Sequence, residues 1–334
     1  MQRANFMKKI ILKYVEKQLA KWAKRVLAKN PNLEIIGITG SVGKSSTKEA
    51  IYQVLGKSKR FEGAVAKSEG NLNTEIGLPL AILGFKKNPN KFTWLFVFIV
   101  AFFRAIFLNP LTQISILILE YAADKRGDIK YLISIAKPNM AIVTRIGRAH
   151  TIEFGDLEGV AREKAQLAAA VGSTGAIFLN KDDKFSHKIS RMSVAKIIYF
   201  SDHGIDTAKE IARSLGKYFG LSEKEINLGI KNIKPLAHRL NIISGANHIT
   251  IIDDTYNANP ESTKAALDFL HNFKDQGRKI AVLGDMLELG SLEKEAHTEI
   301  AAIAIKTADL FIGVGLKFQP NCPDNWFLDP FLLS

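Results

Sequence analysis

The sequence predicts an α/β chain: a central P-loop domain built on a parallel sheet, followed by a smaller Rossmann-like C-terminal domain. Three observations carry this reading. The apolar, β-branched run "LEIIGI" runs into the glycine-rich turn "TGSVGKSS", and that turn runs into "STKEAIYQVL", whose apolar residues fall at helical spacing. Further on, short apolar runs such as "ISILILE", "MAIVT" and "GAIFLN" alternate with helical stretches such as "DLEGVAREKAQLAAA". Past residues 235–238, a predicted hinge, the alternation restarts with "HITIIDDTY", "PESTKAALDFLHNF", "KIAVLGD", "LEKEAHTEIAAIAIKT" and "LFIGVG". The expected organisation is a basic amphipathic helix over 1–34, a central domain over 35–237 and a C-terminal domain over 238–334.

The first observation also specifies chemistry. A strand, a glycine turn and a helix start coincide, so backbone N–H groups between Gly40 and Lys44 can point at an anion while the helix dipole favours its charge. Lys44 can reach outer phosphate oxygens, and the Ser45 hydroxyl can ligate Mg²⁺. This is the build of a nucleoside triphosphate loop, with Thr39, Gly40, Ser41, Gly43, Lys44, Ser45 and Ser46 as its binding residues. The strict eight-residue pattern places glycine where this sequence has Ile38, and Gly37 stands one residue early.

With 334 residues, 47% of them hydrophobic and 24% charged, the chain can bury one or two cores and lacks the composition of a disordered or fibrous protein. Its formal net charge of +13 is unevenly placed. Residues 1–30 hold nine Lys or Arg against Glu16 alone, a surplus of eight. Basic residues interleaved with aromatics across a folded face are not evident, so nucleic acid is not an expected partner. A lone cysteine, Cys322, allows no intramolecular disulfide and no cysteine-built metal site. The basic start has neither a compact apolar core region nor a small-residue cleavage site, so no secretory signal is read and a cytoplasmic location is expected.

Two segments bear on membranes. From Phe6 to Leu27, Met7, Ile11, Val15, Leu19, Trp22 and Val26 recur every three or four residues with lysines opposite. Such a helix either lies on an anionic membrane surface, giving a peripheral contact with the inner face of the plasma membrane, or docks on its own protein with a solvated lysine face. "FTWLFVFIVAFFRAIFL" (92–108) is apolar all round apart from Thr93 and Arg104. Seventeen residues fall short of a comfortable span, and a single crossing would separate the phosphate loop from Glu120. A helical insertion, buried or dipped into one leaflet, is therefore expected over a transmembrane helix.

In an open α/β sheet, ligands gather at the carboxyl ends of the strands. Glu120 ends "ISILILE", His150 follows "MAIVTRIGRA", Lys164 lies on the helix "DLEGVAREKAQLAAA", and Asn180, with Asp182 and Asp183, ends "GAIFLNKDD". A single strand-end carboxylate or imidazole is more often a plain surface group. Two beside a phosphate loop point to a metal and nucleotide site. The loop "KSEGNLNTEIGLP" carries Asn71, Asn73 and Glu75 and leads into a helix.

The ordered set "TGSVGKSSTKE", "SEGNLNTEIGLP", "LEYAADKRGDI", "RIGRAHTIEFGDLEGVAREK", "LNKDD", "HRL", "DDTYNANPES" and "LGDMLELG" closely resembles the Mur ligases of peptidoglycan synthesis. Among them it is most similar to those that add D-alanyl-D-alanine to UDP-N-acetylmuramoyl-tripeptide, from about Ile35 to Val314. The resemblance implies an ATP-dependent amide ligase that phosphorylates a carboxylate and lets an amine attack the acyl phosphate. It further implies that Lys44, His150 and Lys164 are catalytic, and that Ser45 and Glu120 hold one Mg²⁺. A second Mg²⁺ would be held by His150 and a carbamylated Lys164. Asn180, Arg239 and Asp254 would contact the nucleotide, and Asn71, Asn73, Glu75, Asn257 and Asn259 would shape the substrate cleft. Read from its residues alone, "DDTYNANP" is a strand-to-helix turn rich in turn formers.

The sequence departs from the family pattern in four places. It has no counterpart of the N-terminal domain that grips the UDP-sugar. After "IIYFSDHGIDTAKEIA" a further run of strands is missing. Arg145 stands where an asparagine is expected, and the chain stops at "WFLDPFLLS" before the last elements of the C-terminal domain. Three readings are compatible with this: a minimal D-alanyl-D-alanine-adding ligase, a similar ligase acting on another carboxylate, and a non-catalytic nucleotide-binding protein or fragment.

Overall fold

A computed structural model describes residues 2–90, 92–149, 151–274, 277–322 and 325–328, with side chains from Ile10 onward. In chain order the elements are α1 (Gln2–Ala28), β1 (Glu34–Thr39), α2 (Lys44–Gly56), β2 (Val65–Lys67), α3 (Gly77–Ile82), α4 (Trp94–Ile106), β3 (Ile116–Glu120), α5 (Asp128–Ile135), β4 (Met140–Val143), α6 (Thr151–Phe154), α7 (Leu157–Ala169), β5 (Ala176–Asn180), α8 (Ser186–Ser190), β6 (Lys196–Phe200), α9 (Thr207–Tyr218) and α10 (Glu223–Lys231). They continue as β7 (Asn241–Ser244), β8 (Thr250–Asp253), α11 (Pro260–Asn272), β9 (Ile280–Gly284), α12 (Glu293–Thr307), β10 (Leu310–Val314) and β11 (Trp326–Phe327). The chain divides into two compact units. One comprises the residues up to Arg145, Ala161–Asp202 and Asp206–Ile233; the other comprises Ile146–Val160, His203–Ile205 and the residues from Lys234 on.

In the first unit, among the described residues, six parallel strands are ordered β2-β3-β1-β4-β5-β6. β3, β4 and β5 are buried at every position and β1 at all but its first. A parallel sheet covered on both faces selects such unbroken apolar runs. On one face Ile36, Ile38, Ile116, Ile118, Ile142 and Phe178 pack with Ile51, Val54 and Leu55 of α2 and Ile211 and Leu215 of α9. From β1 the chain goes to the edge strand β2, returns through β3 to lie beside β1, and then crosses to β4 on the other side of β1, so the order reverses at β1. The register sets Ile38 beside Glu120 and Thr39 beside Val143, which brings the carboxyl ends of β1, β3 and β4 together. Such a reversal opens a crevice where ligands bind.

α1 docks on its own unit through its second half. Leu19, Trp22, Ala23 and Val26 are buried, and the Trp22 ring lies 4.5 Å from Phe98 and 5.9 Å from Phe102 of α4. Lys29 Nζ donates to the carbonyls of Ile106 (3.0 Å) and Leu108 (3.2 Å), and Asn30 pairs with Asn109. Of the two readings open for this helix, packing on the protein describes residues 19–26, whereas Ile10, Ile11, Leu12 and Tyr14 are exposed. The expected apolar insertion is helix α4, buried only through Val97, Ala101 and Ala105. Among the described residues no helix is long and apolar enough to cross a membrane.

The second unit holds a parallel three-stranded sheet in the order β11-β10-β9, with α11 and α12. Its core gathers Leu267, Met286, Leu289, Ile300, Phe311 and Phe318. One expectation is corrected. The strand in "HITIIDDTY", read as part of the parallel sheet, is β8, and it pairs antiparallel with β7 in a separate ribbon. The reason is local: the turn after β7 has Asn247 in the left-handed region (φ 52°), which closes a hairpin between chain neighbours.

Candidate active site

The phosphate loop is shaped by two glycines. Gly43, the N-cap of α2, sits at φ 85°, where a side chain is strained. At Gly40 (φ 145°) a Cβ would lie 1.9 Å from Thr144 Oγ1. Thr144 braces the loop from the end of β4 by donating to the Val42 carbonyl (2.6 Å), and the Ser41 N–H donates to the Arg145 carbonyl (2.7 Å). Thr39, buried, donates through its hydroxyl to the Tyr121 carbonyl. Lys44 curls over the loop, its Nζ 2.7 Å from the Gly40 carbonyl. Ser45 and Ser46 stand in the first turn of α2, where a helix start favours an anion.

Glu120 is the last residue of β3 and is 1% exposed. Its Oε1 pairs with Lys48 Nζ at 2.8 Å, and Asn73 Nδ2 approaches its Oε2 at 3.4 Å. Burial raises the pKa of this carboxyl, but the charge and hydrogen bond of Lys48, the charge of Lys44 and the Ser45 hydroxyl outweigh burial and bring it below the usual carboxylate range. The group is a buried carboxylate held ionised. An ionised oxygen beside a serine hydroxyl at a phosphate loop is the hard donor set that Mg²⁺ takes, and these residues fit it.

Lys48 escaped the sequence reading. The signal was present: it stands four residues after Lys44, on the same face of α2, and so meets the same strand ends. Its Nζ also donates to the Gly70 carbonyl (3.2 Å), fastening the loop that carries Asn71 and Asn73. Next to it, Glu49 and Lys67 pair at 2.6 Å.

Lys164, on α7, is 2% exposed. Burial and the charge of Lys44 push its pKa down to about 7, against the opposite pull of Glu163 and Asp124. Glu163 is itself engaged at the start of α5, accepting from the N–H groups of Gly127 (3.0 Å) and Ile129 (2.9 Å). Lys164 is therefore an amine close to neutrality inside the protein.

Another expected residue lies at a strand end, and two more lie in the loop between β2 and α3. Asn180 closes β5, with Nδ2 donating to Asp202 (3.3 Å) and Oδ1 accepting from the Asp182 N–H (3.0 Å). Arg145 pairs with Asp202 at 3.3 Å, so the residue that departs from the family pattern is tied to this network. Asn71 accepts from Asn88, and Glu75 stands 3.7 Å from Lys125.

In the second unit, the Arg239 guanidinium lies 3.9 Å over the Tyr256 ring. Asp254 accepts the Leu240 N–H (3.0 Å) and is pushed up to about 6 by burial, which prevails over that hydrogen bond and the charge of Arg239. Asn257 is exposed. Asn259, expected in the cleft, is the N-cap of α11: its Oδ1 accepts from the Ser262 N–H (2.9 Å) and the Ser262 hydroxyl reciprocates, with Pro260 following. His150 lies outside the described residues. Among those described, no cluster of three or more His, Cys, Asp or Glu forms a metal site.

Comparison with known proteins adds to this geometry. Residues 38–98 and 100–243 match the Mur ligase middle domain, and residues 238–324 match the Mur ligase, glutamate ligase domain. The chain is 30% identical to the UDP-N-acetylmuramoyl-tripeptide--D-alanyl-D-alanine ligase of Bacillus subtilis over 80% of its own length and 60% of that protein's. It thus spans about three fifths of the curated relative it matches. The MurF structure from Acinetobacter baumannii superposes with a TM-score of 0.77 at 23% identity, covering 93% of this chain and 70% of that one. The MurF ligase of Thermotoga maritima in complex with ADP gives 0.73 at 24% identity, covering 93% and 74%.

Proposed function

The chain belongs to the Mur ligase family, and from that premise we propose that it is an ATP-dependent amide ligase of peptidoglycan precursor synthesis. Its substrates are UDP-N-acetylmuramoyl-tripeptide and D-alanyl-D-alanine, the pair for which its relatives are named. The observation that supports it most is Glu120, a buried carboxylate kept ionised by Lys48 at the strand end beside the phosphate loop. A plain glycine turn has no use for such a group.

In this reading the substrate carboxylate attacks the γ-phosphorus, the bond to the β-phosphate oxygen breaks, and ADP leaves. The resulting acyl phosphate is attacked at its carbonyl carbon by the amine of D-alanyl-D-alanine. Inorganic phosphate departs and the amine gives up its proton. The start of α2 and the loop amides other than that of Ser41, which donates to Arg145, hold the phosphates, and Lys44 stabilises charge on the moving phosphoryl group. Ser45 and Glu120 would hold Mg²⁺, which would supply positive charge against the phosphates. Asn180, Arg239 and Asp254 serve the nucleotide; Asn71, Asn73, Glu75, Asn257 and Asn259 border the substrates.

His150 and Lys164 would serve a second Mg²⁺. As a cation Lys164 would repel it. As an amine with a pKa near 7 it can add carbon dioxide to its nitrogen, lose a proton and become an anionic carbamate. The enzyme is cytoplasmic, with a peripheral contact at the inner face of the plasma membrane.

The test is the reaction with ATP and Mg²⁺, following pentapeptide by mass spectrometry and phosphate release, with each substrate left out in turn. Product that requires both substrates is expected. Phosphate without pentapeptide would transfer the ligase to another carboxylate, and neither, from folded protein, would remove the ligase reading. Labelled bicarbonate retained by the wild type and lost in Lys164→Met tests the carbamate.

A further inference from the structure

We propose that the exposed face of α4, together with the basic helix α1 packed beside it, docks on an anionic lipid bilayer surface. α4 buries only the narrow stripe of Val97, Ala101 and Ala105. On its other side Phe92, Leu95, Phe96, Ile99, Phe103 and Phe107 are exposed by 95, 74, 67, 48, 49 and 68%. Phe92, Leu95, Ile99, Phe103 and Phe107 follow at steps of three and four residues with Phe96 beside Leu95, so one apolar face runs along the helix and onto the residues that flank it. An aromatic stripe of that length left in water marks an interaction surface.

Charge identifies the occupant. On α1, Lys13, Lys17, Lys21, Lys24 and Arg25 are exposed, and residues 1–30 carry a surplus of eight positive charges. An apolar face that enters the acyl boundary, beside cations that meet phosphate headgroups, is the composition of an interfacial helix. The same charges disfavour a second copy of this chain, because a symmetric pairing through α4 brings the two α1 helices, like charged, toward one another.

Anchorage decides the orientation. α4 has 13 residues, about 20 Å of helix against a hydrocarbon core of about 30 Å. Its last turn is tied to the unit by the Lys29 bonds to Ile106 and Leu108 and by Arg104, whose guanidinium donates to the Leu83 carbonyl (2.9 Å) and stacks over Phe85. Trp22 clamps its middle through Phe98 and Phe102. Fastened along one side, the helix lies flat in the interface with its aromatic face down. The inference does not rest on the ligase reading.

The experiment is co-sedimentation of the full chain with vesicles of phosphatidylcholine alone and of phosphatidylcholine with equimolar phosphatidylglycerol, at low and high salt. Binding to the anionic vesicles is expected about tenfold or more above the neutral ones, and to weaken with salt. Phe96→Ser/Phe103→Ser, both on the exposed face, should lower it by about tenfold or more while leaving the thermal transition in place. Lys13→Gln/Lys17→Gln/Lys21→Gln should remove the preference for anionic lipid. The proposal fails if wild type stays in the supernatant with both vesicle types, or if the double serine variant binds as wild type does. It also fails if light scattering shows a dimer that the serine variant dissolves and vesicles do not compete with, for then a second copy covers the face.

Discussion

The strand ends of the first unit and the outer face of α4 reverse the usual distribution of residues in opposite directions. At the strand ends, charged groups are buried: Lys48 and Glu120 as a pair, and Lys164 without an equal counter-charge. On α4, large aromatic side chains are left in water. Neither arrangement is favourable for a chain folding alone, since a buried charge loses hydration and an exposed apolar face orders solvent. In the reading proposed above, each is a place where something outside the chain completes the structure: phosphate and metal at the first, lipid at the second. The difference lies in tolerance, because a buried ionic site is over-determined by its neighbours and an exposed face is not.

The largest effect is expected at the strand ends. Lys44→Ala and Glu120→Ala should each lower the rate of phosphate release by about 10³-fold, near 4 kcal/mol, read under saturating ATP and Mg²⁺. Loss confined to KM would deny them a role in the transition state.

Next in size is a stability change. Lys48→Met strips the buried carboxylate of its partner and should cost about 3 kcal/mol in urea unfolding. Adding Glu120→Gln should restore part of it, because the charge left behind is the source of the cost. If the single variant is as stable as wild type, the pair at 2.8 Å contributes nothing to folding.

Smaller per pH unit is the slope expected from Lys164. Its folded pKa, about 7, lies below the ordinary 10.5, so between these values the unfolded chain binds more protons and stability rises with pH. The lysine's cost is full below pH 7 and fades by pH 10.5. In buffers free of carbon dioxide, wild type relative to Lys164→Met should gain up to about 1.4 kcal/mol per pH unit across this window. A difference that does not vary with pH would show that the amine is solvated.

The smallest effect belongs to α4. Phe96→Ser should change unfolding stability by no more than about 0.5 kcal/mol, as for a surface site, whereas Trp22→Ala behind the same helix should cost about 3 kcal/mol. Equal losses at the two positions would mean that Phe96 is packed in solution.

Much of the molecule was legible in one dimension. The run from "LEIIGI" through the glycine turn into α2 is a local pattern, and both its elements and its anion-binding chemistry follow from neighbours in the chain. Glu120 at the end of a buried strand was legible for the same reason. The hairpin of β7 and β8 was not: "HITIIDD" is apolar enough for a parallel strand, and a left-handed Asn247 fixed a different partner. The cap that Asn259 places on α11 was legible, since "DDTYNANP" reads as a strand-to-helix turn rich in turn formers.

What the sequence by itself determined is where strands, helices and the phosphate loop form, because periodicity, glycine and capping act within a few residues. Tertiary structure alone decided which groups share a low-dielectric space. Lys48 and Glu120 stand 72 positions apart, and Lys44 and Lys164 stand 120 apart, so their coupling exists only once the sheet has assembled. The same holds for α4, whose apolar circumference gives no sign of a buried side: that choice was made by α1, which covers one stripe of it and leaves the rest to solvent. Burial and charge coupling are properties of the assembled surroundings, and no segment carries them alone.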